Sequence, residues 1–508
     1  MLIPKSIVLV HRKNFEYLNK KLVPYMRDKY STQFIIIHEA ENFLEKEWVN
    51  KKDITIDMNN LEEDSQLGNT SEKEIFDEAR SFENKYNITY IRDCFMQNRA
   101  YALKFLDVFS NNPSAHGKKP DLKNITKEQN YYFNYFEKCI SKYAIDLVIA
   151  RPDDPIGFAL NSIAEKLKIP STVQTTTRVQ GYMFWPCGAY LDGEQLKIAS
   201  KKIKFKPEIL QNNDNKKWDA SFKVRDQEIR SLSFKAMINE IVFNIKDRIN
   251  WLIKDIKRGK LGKRVPFIGK IIYIVKRYIE HRYFQRVFVS DMKIINSRPY
   301  MFFPLPMEPE YNTHSLSKEF INVHAMIQQA AICLPSGYNL VIKEHTPNIG
   351  FKRRQFYKSL MKLPNVLIAN YLLSGPELVD TAEAVMTISG TAGLEAAERG
   401  KMAIIFGSSE YIHLPNILLG HSMRDLPEII KKALAPLSKD QKNKIIEEFK
   451  LFKKISKDCG YYAPDSAFFM GNFKNNLLAS PENIMEKELI KAVDNLIDVW
   501  NIQKNILK

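Results

Sequence analysis

Apolar residues fall into two kinds of run along the chain. Short, continuous stretches at 7–10, 34–38, 88–91, 145–150 and 169–175 are bounded by polar or turn residues, as buried strands are. A helical spacing over 156–167 separates the last two. A second series, at 300–303, 339–343, 366–369, 385–388 and 403–406, alternates with helical segments in the same way. Strands that are apolar throughout, each followed by a helix, predict a parallel sheet covered on both faces, and two such series predict two α/β lobes. Between them the period changes. Ile238, Ile241, Ile245, Ile249, Leu252 and Ile256 recur every three or four residues, and a second stretch opening at Pro266 carries Ile268, Ile271, Ile272, Val275 and Ile279. The end of the chain reads as one more helix through Ile484, Leu489, Val493, Leu496 and Val499.

This organisation divides the chain into an N-terminal Rossmann-like lobe over 1–200, a basic helical insert over 201–296, a second lobe over 297–480 and a helix over 481–508 that crosses back to the first lobe. Residues 201–217 are polar and read as a linker. The length of 508 residues exceeds one core, and 44% apolar residues suffice for two. The first apolar run ends at His11-Arg12-Lys13, too early for a secretory signal, and no uncharged stretch is long enough to cross a bilayer. Cys94, Cys139, Cys187, Cys333 and Cys459 form no CxxC pair. A reducing cytoplasm is expected.

Charge changes the picture at one place. Residues 246–286 hold thirteen Lys or Arg against three Asp or Glu, a local excess of ten out of a net +17. Lys257, Arg258, Lys263, Arg264, Lys276 and Arg277 lie here among interfacial aromatics such as Trp251, Phe267, Tyr273 and Tyr278. Such a segment suits an anionic membrane face, which would make the protein peripheral on the inner side of the cell membrane. It equally suits apolar stripes packed on the protein's own lobes beneath solvated charges. Nucleic acid is not expected, since no binding module or RNP-like aromatic pattern accompanies the basic residues.

Chemistry-bearing residues gather where strands of the second lobe end, the edge at which open α/β sheets bind ligands. Phe302 to Glu310 runs from a strand into a proline-stiffened loop with two carboxylates, Glu308 and Glu310. The strand ending at Lys343 continues into Glu344-His345-Thr346-Pro347. The third element is Ser389-Gly390-Thr391-Ala392-Gly393-Leu394-Glu395. There Gly390 and Gly393 permit close backbone approach, the hydroxyls and free N–H groups favour an anion, and Glu395 is placed for ribose hydroxyls. Thr391 with Glu395 also has roughly the offset of a capping box. In the first lobe, Asp153 and Asp154 follow a strand in Arg151-Pro152-Asp153-Asp154-Pro155; they read either as an acidic catalytic pair or as the cap of the helix after Pro155.

These three elements, closed by Gly400-Lys401 and Phe406-Gly407, resemble the capsule polysaccharide biosynthesis family, related to bacterial 3-deoxy-manno-octulosonate (Kdo) transferases and, more distantly, to bacterial sialyltransferases. The resemblance spans about 300–411. It implies the GT-B architecture, two Rossmann-like lobes facing a cleft, with no resident metal or cofactor. The implied substrates are a nucleotide sugar, a CMP-linked acidic sugar foremost, and a glycan or glycolipid acceptor. By resemblance His345 contacts the donor phosphate, Ser389, Gly390 and Thr391 hold nucleotide phosphate or ribose, and Glu395 is the following acid; for stabilising the leaving phosphate, Lys343 and the helix end near Gly393 are well suited beside His345. Here Thr346 intervenes before Pro347, and Pro306 and Glu308 stand where relatives often have His and Gln. Glu310, or the pair Asp153 and Asp154, would be the base. A nucleotide-sugar epimerase and a membrane-docked scaffold without activity are the competing classes.

Overall fold

The computed structural model describes residues 2–12, 16–39, 43, 46–98, 121–179, 182–188, 233–258, 267–307, 311–462 and 482–507. The first lobe is a sheet of five parallel strands, β1 (Ser6–Val10), β2 (Gln33–His38), β3 (Ile54–Asp57), β4 (Leu147–Ile149) and β5 (Ser171–Thr172), in the order β3-β2-β1-β4-β5. Two short strands, β6 (Thr175–Thr176) and β7 (Tyr182–Phe184), lie beside it in a separate ribbon. The second lobe is a parallel sheet of β8 (Tyr300–Pro304), β9 (Asn339–Lys343), β10 (Val366–Ala369), β11 (Ala384–Thr387), β12 (Ala403–Ile405) and β13 (Ile417–Leu419). Its order is β10-β9-β8-β11-β12-β13. Counted within the lobe this is 3-2-1-4-5-6, the Rossmann order. Both sheets are therefore doubly wound, and each has a switch point where the order reverses: between β1 and β4 in the first lobe, between β8 and β11 in the second.

The all-apolar strands are buried on both faces, which is why they were readable. Ile7, Leu9, Phe34 and Ile36 face one side of the first sheet and Val8, Ile35 and Ile37 the other. The first of these faces is covered by the helix Glu482–Ile506, through Ala492, Val493, Leu496 and Trp500. Trp185 Nε1 donates to the Ala492 carbonyl and Trp500 Nε1 to that of Asp146, each at 2.9 Å, so both indole N–H groups are satisfied within the core. The ribbon is completed by β14 (Tyr461–Tyr462), which follows the helix Lys439–Cys459 of the second lobe and pairs antiparallel with β7. The two lobes thus share a strand pairing as well as an apolar seam in which Val179 and Phe184 meet Leu394, Tyr411 and Phe452.

Residues 88–91, expected as a strand, are not one. Tyr90–Phe95 forms a π-helical turn, and the Asp93 and Glu83 carboxylates take the Thr89 and Tyr90 N–H groups at 2.7 Å each, which withdraws these two donors from a ladder. Of the insert, the helices Phe234–Arg258 and Phe267–Val287 are described and pack against each other, with Phe234 edge-on to Tyr278. The expected linker over 201–217 lies outside the described residues.

Candidate active site at the strand ends

At the second lobe's switch point, β9, β8 and β11 are neighbours, in register through Pro304 with Lys343 and Phe302 with Val385. The Lys343–His345 segment, the loop after Pro304 and the Ser389–Thr391 turn therefore emerge from adjacent strands at one edge. Two strand spacings, about 10 Å, separate the outer two.

The loop after β9 is built on Glu344. Its side chain is fully buried, and its carboxylate accepts from Tyr357 Oη at 2.7 Å, Lys352 Nζ at 2.9 Å, the His345 backbone N–H at 2.8 Å and Asn348 Nδ2 at 3.4 Å. Asn348 Nδ2 also donates to the Pro306 carbonyl at 3.2 Å, which ties this loop to the one after β8. With Glu344 held inward, the alternation along the strand leaves Lys343 half-buried and His345 exposed at the edge. Crowding by surrounding protein, with the charges of Lys343 and Lys352, lowers the His345 pKa, so the imidazole is neutral near pH 7. Sequence reasoning gave Glu344 no role. Its signal was an acid between a Lys and a His at the end of an otherwise apolar strand.

The turn after β11 departs from expectation in three ways. Gly390 N donates to Thr387 Oγ1 at 3.0 Å, and a Cβ on Gly390 would lie 2.7 Å from that oxygen, so this glycine serves the turn. A Cβ on Gly393 would lie 2.7 Å from the Tyr411 ring, whose hydroxyl donates to the Gly390 carbonyl. Gly393 therefore makes room for Tyr411 on the protein side and not for a ligand. Thr391 gives no side-chain cap to the helix Ala392–Glu398; its hydroxyl instead donates to Glu395 Oε1 at 3.3 Å. Ser389 and Glu395 are buried, whereas Gly390 and Thr391 are half-buried. The part of this element open to a ligand is the Gly390–Thr391 corner, with Glu395 behind it.

At the first lobe's switch point the pair reads as follows. Asp154 Oδ1 accepts from Gly157 N at 2.7 Å and caps the helix Pro155–Lys166, as the structural alternative required. A Cβ on Gly157 would stand 1.8 Å from the Arg151 carbonyl, so only glycine permits this entry into the helix. Arg12, two residues beyond β1, bridges both acids: its Nη2 lies 2.7 Å from Asp153 Oδ1 and also bonds Asp154, while Arg151 approaches Asp153 at 3.3 Å. Burial raises the Asp154 pKa against the opposing pull of Arg12. Arg12 was missed in the sequence, although it follows β1 at the same edge as the acids. Glu310 lies outside the described residues, as do Lys263 and Arg264 and the side chains of Lys257 and Arg258; Lys276 is exposed and Arg277 half-buried.

The lobes meet beside these edges. His314 Nδ1 bonds the Met96 carbonyl at 2.7 Å, Ser315 Oγ donates to Gln97 Oε1 at 3.0 Å, and Lys318 Nζ pairs with Asp93 at 2.9 Å. On the other side Arg178 Nε pairs with Glu410 at 2.9 Å, with both side chains largely buried.

Two doubly wound parallel sheets joined in this way make the GT-B arrangement of two Rossmann-like lobes. Residues 252–413 match the model of the family described as capsule polysaccharide biosynthesis protein. No curated protein sequence matches the chain. Among solved structures, similarity extends to the UDP-GlcNAc 2-epimerase of Methanocaldococcus jannaschii, at 13% identity over 85% of this chain and 93% of that one with a TM-score of 0.25. The UDP-GlcNAc 2-epimerase of Neisseria meningitidis is 11% identical over 89% and 98%, with a TM-score of 0.27. KpsC of Thermosulfurimonas dismutans, a β-Kdo 2,4 transferase, is 15% identical over 57% and 79%, with a TM-score of 0.30. These likenesses are faint, and the fold rests on strand order and direction.

Proposed function

We propose that the protein transfers a sugar from a nucleotide donor, with a CMP-linked acidic sugar as the first choice, to a growing surface glycan or glycolipid. The supporting observation is the Rossmann-order second sheet, whose switch-point edge presents Lys343 and His345 on one side and the Gly390–Thr391 corner on the other. A donor across that edge has its phosphate against His345 and Lys343, where neutral imidazole donation and a cation stabilise the leaving group. Its ribose and base lie toward Thr391, with Glu395 reached through a small shift of the Thr391 hydroxyl. The acceptor approaches from the first lobe. There Asp153 is the better base of the acidic pair, since Asp154 is committed to the helix cap. Arg12 keeps the pair ordered, and Glu310 is the alternative base on the donor side. The basic insert brings the protein to the membrane where such acceptors are assembled.

The test is incubation with CMP-, UDP- and GDP-sugars, with and without membrane glycolipid from a polysaccharide-producing bacterium. Transfer of labelled sugar to the glycolipid is expected, with little donor turnover when it is absent. Conversion of the donor sugar without acceptor would replace this reading with the epimerase.

A further inference from the structure

Besides the apolar residues they bury, the two insert helices each carry a second apolar stripe on the side turned to solvent. In Phe234–Arg258 the side chains turned inward include Met237 and Asn244, both buried, with Glu240 and Arg248 half-buried beside them. Asn244 satisfies its amide on the helix's own Glu240 carbonyl at 2.7 Å. Ile238, Val242, Ile245 and Ile249, at spacings of four, three and four, form a single stripe that faces solvent, with Ile249 51% exposed.

The helix Phe267–Val287 repeats the arrangement. One side docks on the second lobe: Ile274, Phe284 and Phe288 are buried, both Glu280 carboxylate oxygens accept from Arg354 Nε at 2.9 and 3.0 Å, His281 bonds the Tyr371 hydroxyl, and Arg277 passes so close to Gly350 that a Cβ there would lie 2.9 Å from its Cα. At about 100° per residue, Ile272, Val275 and Ile279 fall on the opposite side. Ile272 is 60% and Ile279 52% exposed, and Arg282 and Arg286 continue the same stripe. Ten of the twenty-one large apolar side chains exposed among the described residues belong to these two helices. A soluble protein scatters such residues singly; two regular stripes call for a cover.

Charge selects the cover. The exposed charged side chains described on the two helices are Lys235, Lys246, Lys276, Arg282 and Arg286 against the single acid Asp247, since Glu280 is buried in its ion pair. No helix of the described residues is long and apolar enough to span a bilayer. We infer that the hairpin is a membrane-surface anchor: the Ile238–Ile249 and Ile272–Ile279 stripes enter the headgroup boundary of an anionic bilayer while the basic residues bind lipid phosphates. This deepens the membrane contact of the proposed function by assigning the hold to apolar stripes and not to charge alone. Because the inner side of the second helix is fixed to the second lobe by Glu280, His281 and Phe284, the anchor sets that lobe's orientation toward the membrane.

The experiment is vesicle co-sedimentation of the full chain with phosphatidylglycerol–phosphatidylcholine and pure phosphatidylcholine vesicles, with nucleotide-induced thermal shifts followed in parallel. The parent should bind the anionic vesicles and resist release by high salt in part, as an inserted apolar face does. Ile245→Ser with Ile249→Ser, and Ile272→Ser with Ile279→Ser, should each weaken binding about tenfold or more. Lys246→Glu with Arg286→Glu should weaken it at low salt by about fivefold per residue. All variants should keep the parent's melting temperature and nucleotide response, so that failure of the anchor and failure of the donor site are told apart. Serine variants that bind as the parent does, complete release by salt, or a concentration-dependent dimer abolished by the same serines without vesicle binding would overturn the inference.

Discussion

Four donors converge on the Glu344 carboxylate, one of them the backbone N–H of His345. A buried carboxylate paired with a nearly buried Lys352 contributes little net stability as a pair, yet removing one partner strands the other. Glu344→Ala should therefore cost about 3–5 kcal/mol in urea unfolding, and Glu344→Gln less, because an amide oxygen can still accept from Tyr357. The more telling readout is kinetic: with the loop still folded, Glu344→Gln should lower turnover, since His345 is positioned through it. Unchanged stability in Glu344→Ala would show that the carboxylate is not load-sharing in solution. At this scale the sequence offered residue types but not their orientation. Lys343, His345 and Thr391 were found as polar groups at strand ends. Gly393 looked like a ligand-facing glycine because nothing in the sequence says that Tyr411, eighteen positions later, fills the space beside it.

Elements were legible where burial is complete and faint where it is not. The central strands β1, β2, β8, β9, β11 and β12 are apolar along their length, and each was readable to within a residue or two. Of the missed strands, β3 and β13 are sheet edges with half-exposed residues and little contrast to the flanking loops, and β7 and β14 are pieces of two or three residues in the small ribbon. In 88–91 the apolar run was real, but side-chain carboxylates take the Thr89 and Tyr90 N–H groups and the chain turns into a helix. The helix Glu482–Ile506 supplies one wall of the first lobe's core across most of the chain's length. Trp500→Ala, which removes a buried indole and its bond to Asp146, should cost about 3–5 kcal/mol and lower the melting temperature of the whole protein. An effect within the scatter of surface substitutions would mean that this helix is not part of the folded core.

Across the whole molecule, buried histidines set an acid limit on stability. Burial, aided by Lys46, lowers the His11 pKa to about 4, and burial with Arg282 and Arg277 lowers that of His281 to about 4. The unfolded chain binds these protons more readily, so stability is full above about pH 6.5 and falls as pH drops through the window from 6.5 toward 4. Each site should contribute up to about 3 kcal/mol to that loss, visible in urea unfolding at pH 7 and pH 5. A flat profile between those values would contradict the neutral, buried state of both rings.

The central claim is that the switch point of the second lobe holds the donor nucleotide, and calorimetric titration of CMP, UDP and GDP into the parent, His345→Ala and Glu395→Ala tests it most directly. One nucleotide should bind the parent. Loss of a charged hydrogen bond to ribose should weaken that binding in Glu395→Ala by about 1.5–3 kcal/mol, with a smaller loss in His345→Ala, whose main effect falls on turnover. If Glu395→Ala stays folded and binds the same nucleotide as tightly as the parent, the donor does not lie at the Gly390–Thr391 corner.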